Sequence, residues 1–271
     1  SNLSLIGFKG TKDLHNDLKA LFQVESAVNL TGSATSTNNA HPGAAQFATA
    51  GSVFGAARDT YIGLNNKYGT ALAGYISTPF RSSITSFAVE PGATGSMTIE
   101  KQMGSMRFGS VNTTLSSAVR ATAVAYAMPT LYGFDASIAY TGSNNNGTNN
   151  STAFGTCTEG GGDTSACTLS PQSAWGFNLG WTGYGVNLKG AFQQANLQVT
   201  PSSTATISGA NQIGDYTSYL VGAMYTGVPG LKLSTVYVRN SLGTNGVSAL
   251  STGGAAKITN NQLYAGVGYR W

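Results

Sequence analysis

The sequence predicts an all-β protein, an antiparallel transmembrane β-barrel that forms one domain over residues 1–271. Three observations lead to this prediction: large apolar residues alternate with small polar ones, only 9% of the residues are charged, and short turns alternate with long polar loops. Alternation with period two places one set of side chains on each face of a strand. A typical soluble domain has about 25% charged residues, so the low charge favours a chain with one face toward lipid.

The alternation is clearest in residues 173–193, where two strands meet at a turn near Gly183. A soluble β-sandwich would bury the large apolar face against a second sheet, whereas a membrane barrel turns it toward lipid and leaves the polar face toward water. Each strand is close to the ~9–11 residues that a tilted strand needs to cross a bilayer. The large face of this stretch carries Trp175, Phe177, Leu179, Trp181, Tyr184, Val186, Leu188 and Phe192.

Composition argues against other classes of protein. No apolar run approaches the roughly 18–20 residues of a membrane helix, and a mean hydropathy of −0.04 is compatible with strands whose two faces average out. A hydrophobic content of 41% argues against a disordered chain. The formal charge of +4 is weak and scattered, so no nucleic-acid partner is predicted.

The same alternation predicts about eleven strands, and polar residues 10–17 indicate a turn after the first. In the second strand Phe22 and Val24 share a face, although an α-helix remains the alternative there. Later hairpins turn at N-N-K-Y-G, at Pro129 and at G-V-P-G. The predicted strands are residues 3–9, 18–30, 58–65, 70–78, 119–128, 132–141, the two strands within 173–193, 215–226, 231–240 and 261–271.

Loop lengths alternate along the chain. Short turns alternate with long loops, as short periplasmic turns and longer extracellular loops do in outer-membrane barrels. The short turns lie near Asn16, Asn66, Pro129, Gly183 and Pro229. The long loops are residues 31–57, 79–117, 142–172, 194–214 and 241–260. Residues 79–117 have no sustained alternation, and loops of that length in compact domains are usually functional or mobile.

Alternation also assigns charged residues to the polar face. Placing them on the large face would put Lys or Arg in lipid at about 2–4 kcal/mol each near the midplane. We therefore predict a weakly basic, anion-favouring lumen, with the alternative that each charge is only a solvated lumen or rim residue. The predicted lumen charges are Lys9, Lys19, Glu25, Asp135, Lys189, Lys232 and Arg270.

Aromatic residues near strand ends predict interfacial girdles, where amphipathic rings prefer to lie. These residues are Tyr61, Tyr132, Tyr140, Trp175, Trp181, Tyr184, Tyr225, Tyr237 and Trp271.

The two cysteines, Cys157 and Cys167, flank nine residues of a polar loop. Such a pair fits a disulfide in an oxidising compartment, and two free thiols remain the alternative. His15 and His41 have no Cys, His or carboxylate at metal-ligand spacing, and neither a G-x-S-x-G nor a P-loop motif is present. We predict no metal, no cofactor and no catalysis.

Several stretches are similar to the general porins of Gram-negative, especially β-proteobacterial, outer membranes. G-F-K-G-T-K-D-L-H-N-D-L-K-A-L-F-Q-V-E from Gly7 resembles their second and third strands. The next hairpin of these porins is similar to A-R-D-T-Y-I-G-L-N-N-K-Y-G-T from Ala57. The entry to their third loop is similar to S-T-P-F. The hairpin after that loop is similar to A-V-R-A-T-A-V-A-Y-A-M-P together with Y-G-F-D-A-S-I-A-Y. The resemblance is strong over residues 5–140 and generic beyond.

The resemblance implies a homotrimer of sixteen-stranded barrels that passes small hydrophilic solutes and ions through the outer membrane, in contact with its lipid. It implies that the third loop, about residues 79–117, folds inward as a constriction. Glu90 and Glu100 on that loop would face basic wall residues such as Arg58 and Arg120, creating a field that orients dipolar solutes. The second loop, residues 31–57, would reach over a neighbouring subunit. The chain looks shorter than the family barrel and is expected to be a fragment or a smaller barrel.

Two functions outside passive diffusion compete with this expectation. An outer-membrane barrel enzyme would need a Ser/His or Asp/His pair near the rim. The chain has two histidines, both in low-complexity surroundings, so this alternative has little support. A barrel with an adhesive or structural role through its long polar loops is the stronger alternative.

Overall fold

The computed structural model describes residues 5–28, 54–89, 98–99, 103, 105–108, 113–116, 120–142, 156–158, 166–201, 215–243 and 257–269. Within these residues, no α-helix is long and apolar enough to cross a bilayer. The described elements are fifteen strands and one short α-helix.

The strands are β1 (Leu5–His15), β2 (Leu18–Val28), β3 (Phe54–Ala57), β4 (Thr60–Asn66), β5 (Gly69–Ser77), β6 (Ser105–Phe108), β7 (Thr113–Ser116), β8 (Arg120–Ala127), β9 (Phe134–Thr141), β10 (Thr156–Thr158), β11 (Ala166–Gly183), β12 (Val186–Pro201), β13 (Tyr216–Tyr225), β14 (Leu231–Gly243) and β15 (Lys257–Tyr269). The helix is α1 (Pro79–Thr85).

One antiparallel sheet follows the chain in the order β1-β2-β4-β5-β8-β9-β11-β12-β13-β14-β15. These eleven strands confirm the predicted number and the all-β class. β3 pairs with β2 and β10 with β11 beside this path, and β6 and β7 form a separate two-stranded sheet. In the described part of the chain, β1 and β15 are the two ends of the path.

The two faces of the sheet differ in polarity. We call the face that contacts α1 the inner face and the opposite one the outer face. On β11 the outer-face residues Trp175, Phe177 and Leu179 are exposed, while Asn178 between them is buried on the inner face. Strand register carries this alternation around the sheet, so that Phe8 and Val24 pair on the outer face and Lys9 and Gln23 on the inner face. The exposed apolar face is the one predicted to meet lipid.

Short turns join strands at one end of the sheet. Asn16 and Asp17 adopt φ values of 51° and 60°, the left-handed geometry of a two-residue hairpin turn, and Tyr184 and Gly185 repeat it between β11 and β12. The prediction of a turn over residues 10–17 was wrong, because β1 continues to His15. Its polar residues still alternate between the faces, and only Asn16 and Asp17 leave the strand. The helix considered for residues 18–30 was also wrong, since Leu18–Val28 forms β2.

Two strands are much longer than predicted. β11 has 18 residues and β12 has 16, so residues 166–172 and 194–201 are strand rather than loop. A register shift between Pro171 and Ser173 interrupts their pairing. The apolar alternation is weak in residues 166–172 and 194–201, and for this reason the sequence predicted loops there. A strand segment beyond the bilayer meets water on both faces and needs no apolar face.

Residues 79–89 pack against the inner face. The hydroxyl oxygen of Thr78 caps α1 by accepting from the Arg81 backbone N–H, and proline occupies the first turn, where its missing N–H costs nothing. Phe80, Ile84 and Phe87 are completely buried. They belong to a cluster with Ile99 and Met103 of the same loop and with wall residues Ala191, Leu220, Met224, Val236 and Val238. The described parts of the predicted third loop therefore lie inward, against β12–β14.

The outer face carries aromatic residues at two levels. Trp175, Phe177, Phe192 and Tyr219 form a cluster in which neighbouring ring centroids lie 4.9–6.1 Å apart. Trp181 and Tyr184, with centroids 6.4 Å apart, lie at the short-turn end. Tyr61 was assigned wrongly to a girdle: it lies on the inner face, where its hydroxyl donates to Gln23 Oε1 over 3.1 Å. Trp271 lies outside the described residues.

Candidate functional site

The inner face gathers charged residues from distant parts of the chain. Strand register places six of the predicted lumen charges at inner-face positions. These are Lys9, Lys19, Glu25, Asp135, Lys189 and Lys232. Glu90, Glu100 and Arg270 lie outside the described residues, as do residues 31–53 of the predicted second loop.

Arg58 and Glu25 form an ion pair at the long-loop end of β2. The Arg58 guanidinium contacts Glu25 Oε1, and the Arg58 backbone N–H donates to the Glu25 carbonyl oxygen at 2.8 Å. Gln23 Nε2 donates to the second carboxylate oxygen at 3.0 Å. The side chains are only 20% and 14% exposed, so each charge depends on the other for compensation.

Arg120 lies at the start of β8 and pairs with Asp59. Arg120 Nε donates to Asp59 Oδ1 at 3.0 Å, and the same oxygen accepts from the backbone N–H of Ser77 at 2.9 Å and from its hydroxyl at 3.0 Å. Arg120 shares the alternation of the exposed outer-face residues Thr122 and Val124. It is therefore a rim residue held between β5 and β8, and its pore-lining role stays a prediction.

A third ion pair lies near the short-turn end. Asp135 on β9 and Lys189 on β12 flank Gly180 of β11 in one cross-strand row, and Lys189 Nζ lies 3.5 Å from Asp135 Oδ2. Glycine at the centre leaves room for this contact, because a Cβ there would lie 2.5 Å from Asp135 Oδ1. Lys19 pairs similarly with Asp13, across 3.6 Å, in a more exposed position.

Lys9 and Lys232 differ from the other inner-face cations. Among the described residues, neither forms an ion pair, and both are exposed. The described part of the inner wall thus contains ion pairs together with two ammonium groups that have no carboxylate partner among the described residues. The same described residues contain no group of three His, Cys, Asp or Glu side chains that could hold a metal ion.

One contact that fixes α1 to the wall was not predicted from the sequence. Asn178 on β11 donates from its side-chain amide to Ser83 Oγ at 3.1 Å and to the Pro79 carbonyl oxygen at 3.3 Å. Its carbonyl oxygen accepts from Ser137. Small polar residues are expected throughout a lumen-facing strand, so nothing in the sequence distinguishes Asn178 from its neighbours.

The two cysteines lie opposite each other in the sheet. The register of β10 and β11 pairs Cys157 with Cys167 between Thr156↔Thr168 and Thr158↔Ala166. Directly opposed residues in an antiparallel pair have Cα atoms about 4.5–5.5 Å apart, within the range that a disulfide spans. The backbone is therefore compatible with the predicted bridge.

Comparison with known proteins gives the family context. A family model described as Gram-negative porin matches residues 1–271. The major outer membrane protein P.IB of Neisseria gonorrhoeae is 28% identical over 148 residues, which cover 54% of this chain and 34% of that protein. The match therefore spans about a third of the length of that relative.

Solved structures support the architecture. OmpF of Salmonella typhi, in complex with daunomycin, matches with a TM-score of 0.52 and 14% identity over 98% of this chain and 78% of that chain. The anion-selective porin from Comamonas acidovorans matches with a TM-score of 0.44 and 17% identity over 89% of this chain and 69% of that chain. At 14% identity the OmpF match supports the fold alone, and the lower TM-score of the second match supports no property of this chain.

Proposed function

The chain belongs to the Gram-negative porin family, whose members are outer-membrane β-barrel proteins, and from this premise we propose that it forms a water-filled channel for passive diffusion of small hydrophilic solutes and ions. The observation that carries the proposal is the division of the sheet into an exposed apolar outer face and a polar inner face with charges from five of its strands. Lipid suits the first face and water the second.

The proposal includes a constriction. Residues 79–89 cross the inner face, where Phe87 lies over Gly222 of β13 and Val89 lies over Gly266 and Gly268 of β15. A segment held against the inner wall takes cross-section from a channel on that side. Apolar residues of this segment contact the wall, and its backbone polar groups are largely hydrogen-bonded within α1. The segment therefore narrows the lumen while it stays fixed to the wall.

A weak preference for anions is part of the proposal. Arg58 and Lys189 are compensated by neighbouring carboxylates, which weakens their field in the lumen. Lys9 and Lys232 have no ion-pair partner among the described residues and are proposed to contribute most to the selectivity. Glu90 and Glu100 are proposed to line the constriction by family resemblance, and Arg270 is proposed to line the wall from the alternation of the last predicted strand.

Single-channel recording in a planar bilayer tests the function. Stepwise conductance, with a reversal potential in a KCl gradient that indicates anion preference, is the expected result. Steps with cation preference would keep the channel and refute the charge assignment. Membrane-inserted, heat-modifiable protein that carries no current would refute diffusion.

We also propose a homotrimer without catalytic activity. The trimer is supported by family resemblance, and the absence of catalysis by membership of the porin family. Cross-linking followed by mass determination tests the trimer, and a dominant monomer in detergent and in membranes would contradict it.

The Cys157–Cys167 disulfide is proposed from the backbone register. Maleimide labelling of the folded protein before and after reduction tests it. We expect two labels only after reduction, whereas labelling of both cysteines in the unreduced protein would show free thiols.

An adhesive role is a second candidate. β11 and β12 continue past Trp175 and Gln194 to Ala166 and Pro201, and carry β10 on their edge. This extension beyond the aromatic level offers a surface for contact outside the cell. Deletion of residues 156–170 and 198–212, followed by a host-cell or matrix binding assay, separates this role from conductance.

A further inference from the structure

The inner face of β12–β14 carries a row of neutral polar side chains on the long-loop side of the apolar cluster. Strand register places Gln193, Ser218 and Asn240 directly opposite one another, and each is at most 2% exposed. Asn240 Oδ1 accepts from the Tyr216 hydroxyl at 3.3 Å. Among the described residues, however, no partner reaches either amide atom of Gln193, the hydroxyl of Ser218 or the amide nitrogen of Asn240. We call these three residues the long-loop row.

A second neutral row lies at the short-turn edge of the same cluster. Register aligns Asn187, Met224 and Ser234 on the same three strands. Asn187 Oδ1 and Ser234 Oγ are buried, and within the described part of the chain neither has a hydrogen-bond partner. Met224 lies between them and is 6% exposed. We call these residues the short-turn row.

The groups in these rows need hydrogen-bond partners. A buried donor or acceptor left unpaired is costly, and native proteins satisfy such groups with protein atoms or with ordered water. Residues directly opposed on neighbouring antiparallel strands have Cβ atoms roughly 4.5–5.5 Å apart. A water molecule whose two hydrogen bonds are each about 2.8 Å long spans a separation of that size. Gln193 and Ser218, and likewise Ser218 and Asn240, are opposed in this way.

The chemistry of the rows favours water over other ligands. The long-loop row contains amides and a hydroxyl and no charge, so an ion would find no counter-charge in it. The short-turn row lies two positions along the strands from Lys189 and Lys232, which repel a cation, while the acceptor Asn187 Oδ1 disfavours an anion. Because the unpaired atoms are closed off from solvent, a solute the size of a sugar does not reach them.

We propose that ordered water molecules occupy two separate internal sites on the inner face, one at each row, and complete the hydrogen bonds of the buried amides and hydroxyls there. Leu220, Val236 and Val238 lie between the rows and are at most 1% exposed, so the apolar cluster divides the two sites. The inference concerns the interior of the wall and not conduction, so it can fail while the channel function stands.

X-ray radiolysis of the folded, membrane-inserted full chain tests the proposal, because it splits bound water in place and the resulting hydroxyl radical oxidises the adjacent side chain. Met103 is the matched control for Met224, since it is 4% exposed and belongs to the apolar cluster. We expect Met224 to be oxidised at least about tenfold faster than Met103 if water is bound beside it. Hydroxyl radicals generated in bulk solution from peroxide should oxidise neither methionine, because both are buried.

Two double variants test the sites separately. Gln193→Leu with Ser218→Ala removes most of the long-loop row, and we expect radiolytic labelling of Tyr216 to fall about fivefold while that of Met224 is unchanged.

Asn187→Leu with Ser234→Ala should do the reverse: labelling of Met224 falls and labelling of Tyr216 is unchanged. Heat-modifiable migration shows that each variant is folded, and single-channel conductance of both should equal that of the wild type. The comparison of Met224 with Met103 needs no variant and stands even if a variant does not fold.

Three results would overturn the proposal. Equally slow radiolytic oxidation of Met224 and Met103 would show a dry short-turn row. Fast oxidation of Met224 or Tyr216 by peroxide-derived radicals would show that the rows open to bulk water. A fall in both labels in either double variant would show one continuous water file instead of two sites.

Discussion

Asn178 on β11 donates a hydrogen bond to the hydroxyl oxygen of Ser83 in α1, across 3.1 Å. The same side chain accepts from the backbone N–H and hydroxyl of Ser137 on β9, each at 2.9 Å. Asn178 is 5% exposed, so these bonds form away from bulk water. One amide thus links two wall strands to the segment that crosses the inner face.

Replacing Asn178 with leucine should loosen that segment. Leucine has a similar volume but leaves the Pro79 carbonyl and the Ser137 N–H without these partners, at a cost of about 1–3 kcal/mol in the free energy of unfolding. We expect a lower Tm and larger fluctuations of the open-channel current. Asn196→Ala is the control, because Asn196 is exposed and bonds only to Ser173 Oγ among the described partners. Equal current noise in Asn178→Leu and the wild type would show that the amide does not hold α1.

The Glu25–Arg58 pair predicts opposite shifts of selectivity. Glu25→Gln removes a negative charge and leaves Arg58 uncompensated, so the reversal potential should move toward anion preference. Arg58→Gln should move it toward cation preference, and the double variant should return it close to the wild-type value. Both single variants should also be less stable, by roughly 3–5 kcal/mol if the remaining charge stays buried. Shifts of the same sign in the two single variants would contradict a shared site in the lumen.

Lys9 and Lys12 provide a test that differs only in the face of β1. Lys9→Gln should reduce anion preference more than the Glu25→Gln/Arg58→Gln double variant does, because Lys9 has no ion-pair partner among the described residues. Lys12→Gln, on the outer face, should leave the reversal potential nearly unchanged. The measurement is zero-current potential in a tenfold KCl gradient at low ionic strength, where screening is weakest. A larger effect of Lys12→Gln would refute the assignment of the inner face to the lumen.

Gly222 makes room for Phe87. A Cβ at Gly222 would lie 2.6 Å from the Phe87 ring, and the ring is fully buried and cannot swing into solvent. Gly222→Ala should therefore destabilise the protein by about 1–3 kcal/mol and shift residues 79–89 away from the wall, lowering conductance. Phe87→Leu combined with Gly222→Ala should recover part of that loss, which thermal unfolding of the four proteins in a double-mutant cycle would reveal. Additive effects would contradict direct contact.

The sequence predicted the parts of the fold that depend on local alternation. Trp175, Phe177 and Leu179 face outward and Asn178 inward, as period two requires, and six predicted lumen charges lie on inner-face positions. Eleven strands and the alternation of short and long connections followed from the same pattern. These features need only the rule that lipid and water lie on opposite faces of a strand.

The remaining features depend on long-range geometry. Arg58 contacts Glu25 across a separation of 33 residues in the sequence, and Asn178 contacts Ser83 across 95. No local sequence pattern indicates either contact. Tyr61 was misplaced because the register of β4 is fixed by its pairing with β2, while the sequence before Thr60 leaves its phase ambiguous. The long-loop ends of β11 and β12 were predicted as loops, because a strand that extends beyond the membrane does not need an apolar face.

The docking of α1 implies an order of assembly. Neighbouring strands of the main path pair in sequence order, so successive hairpins can form from local contacts. Residues 79–89 instead need β9, β11, β12 and β13 in place before Asn178 and the apolar cluster can receive them. For the proposed channel, the strands of the wall therefore pair first, and the bore takes its final width only when residues 79–89 dock.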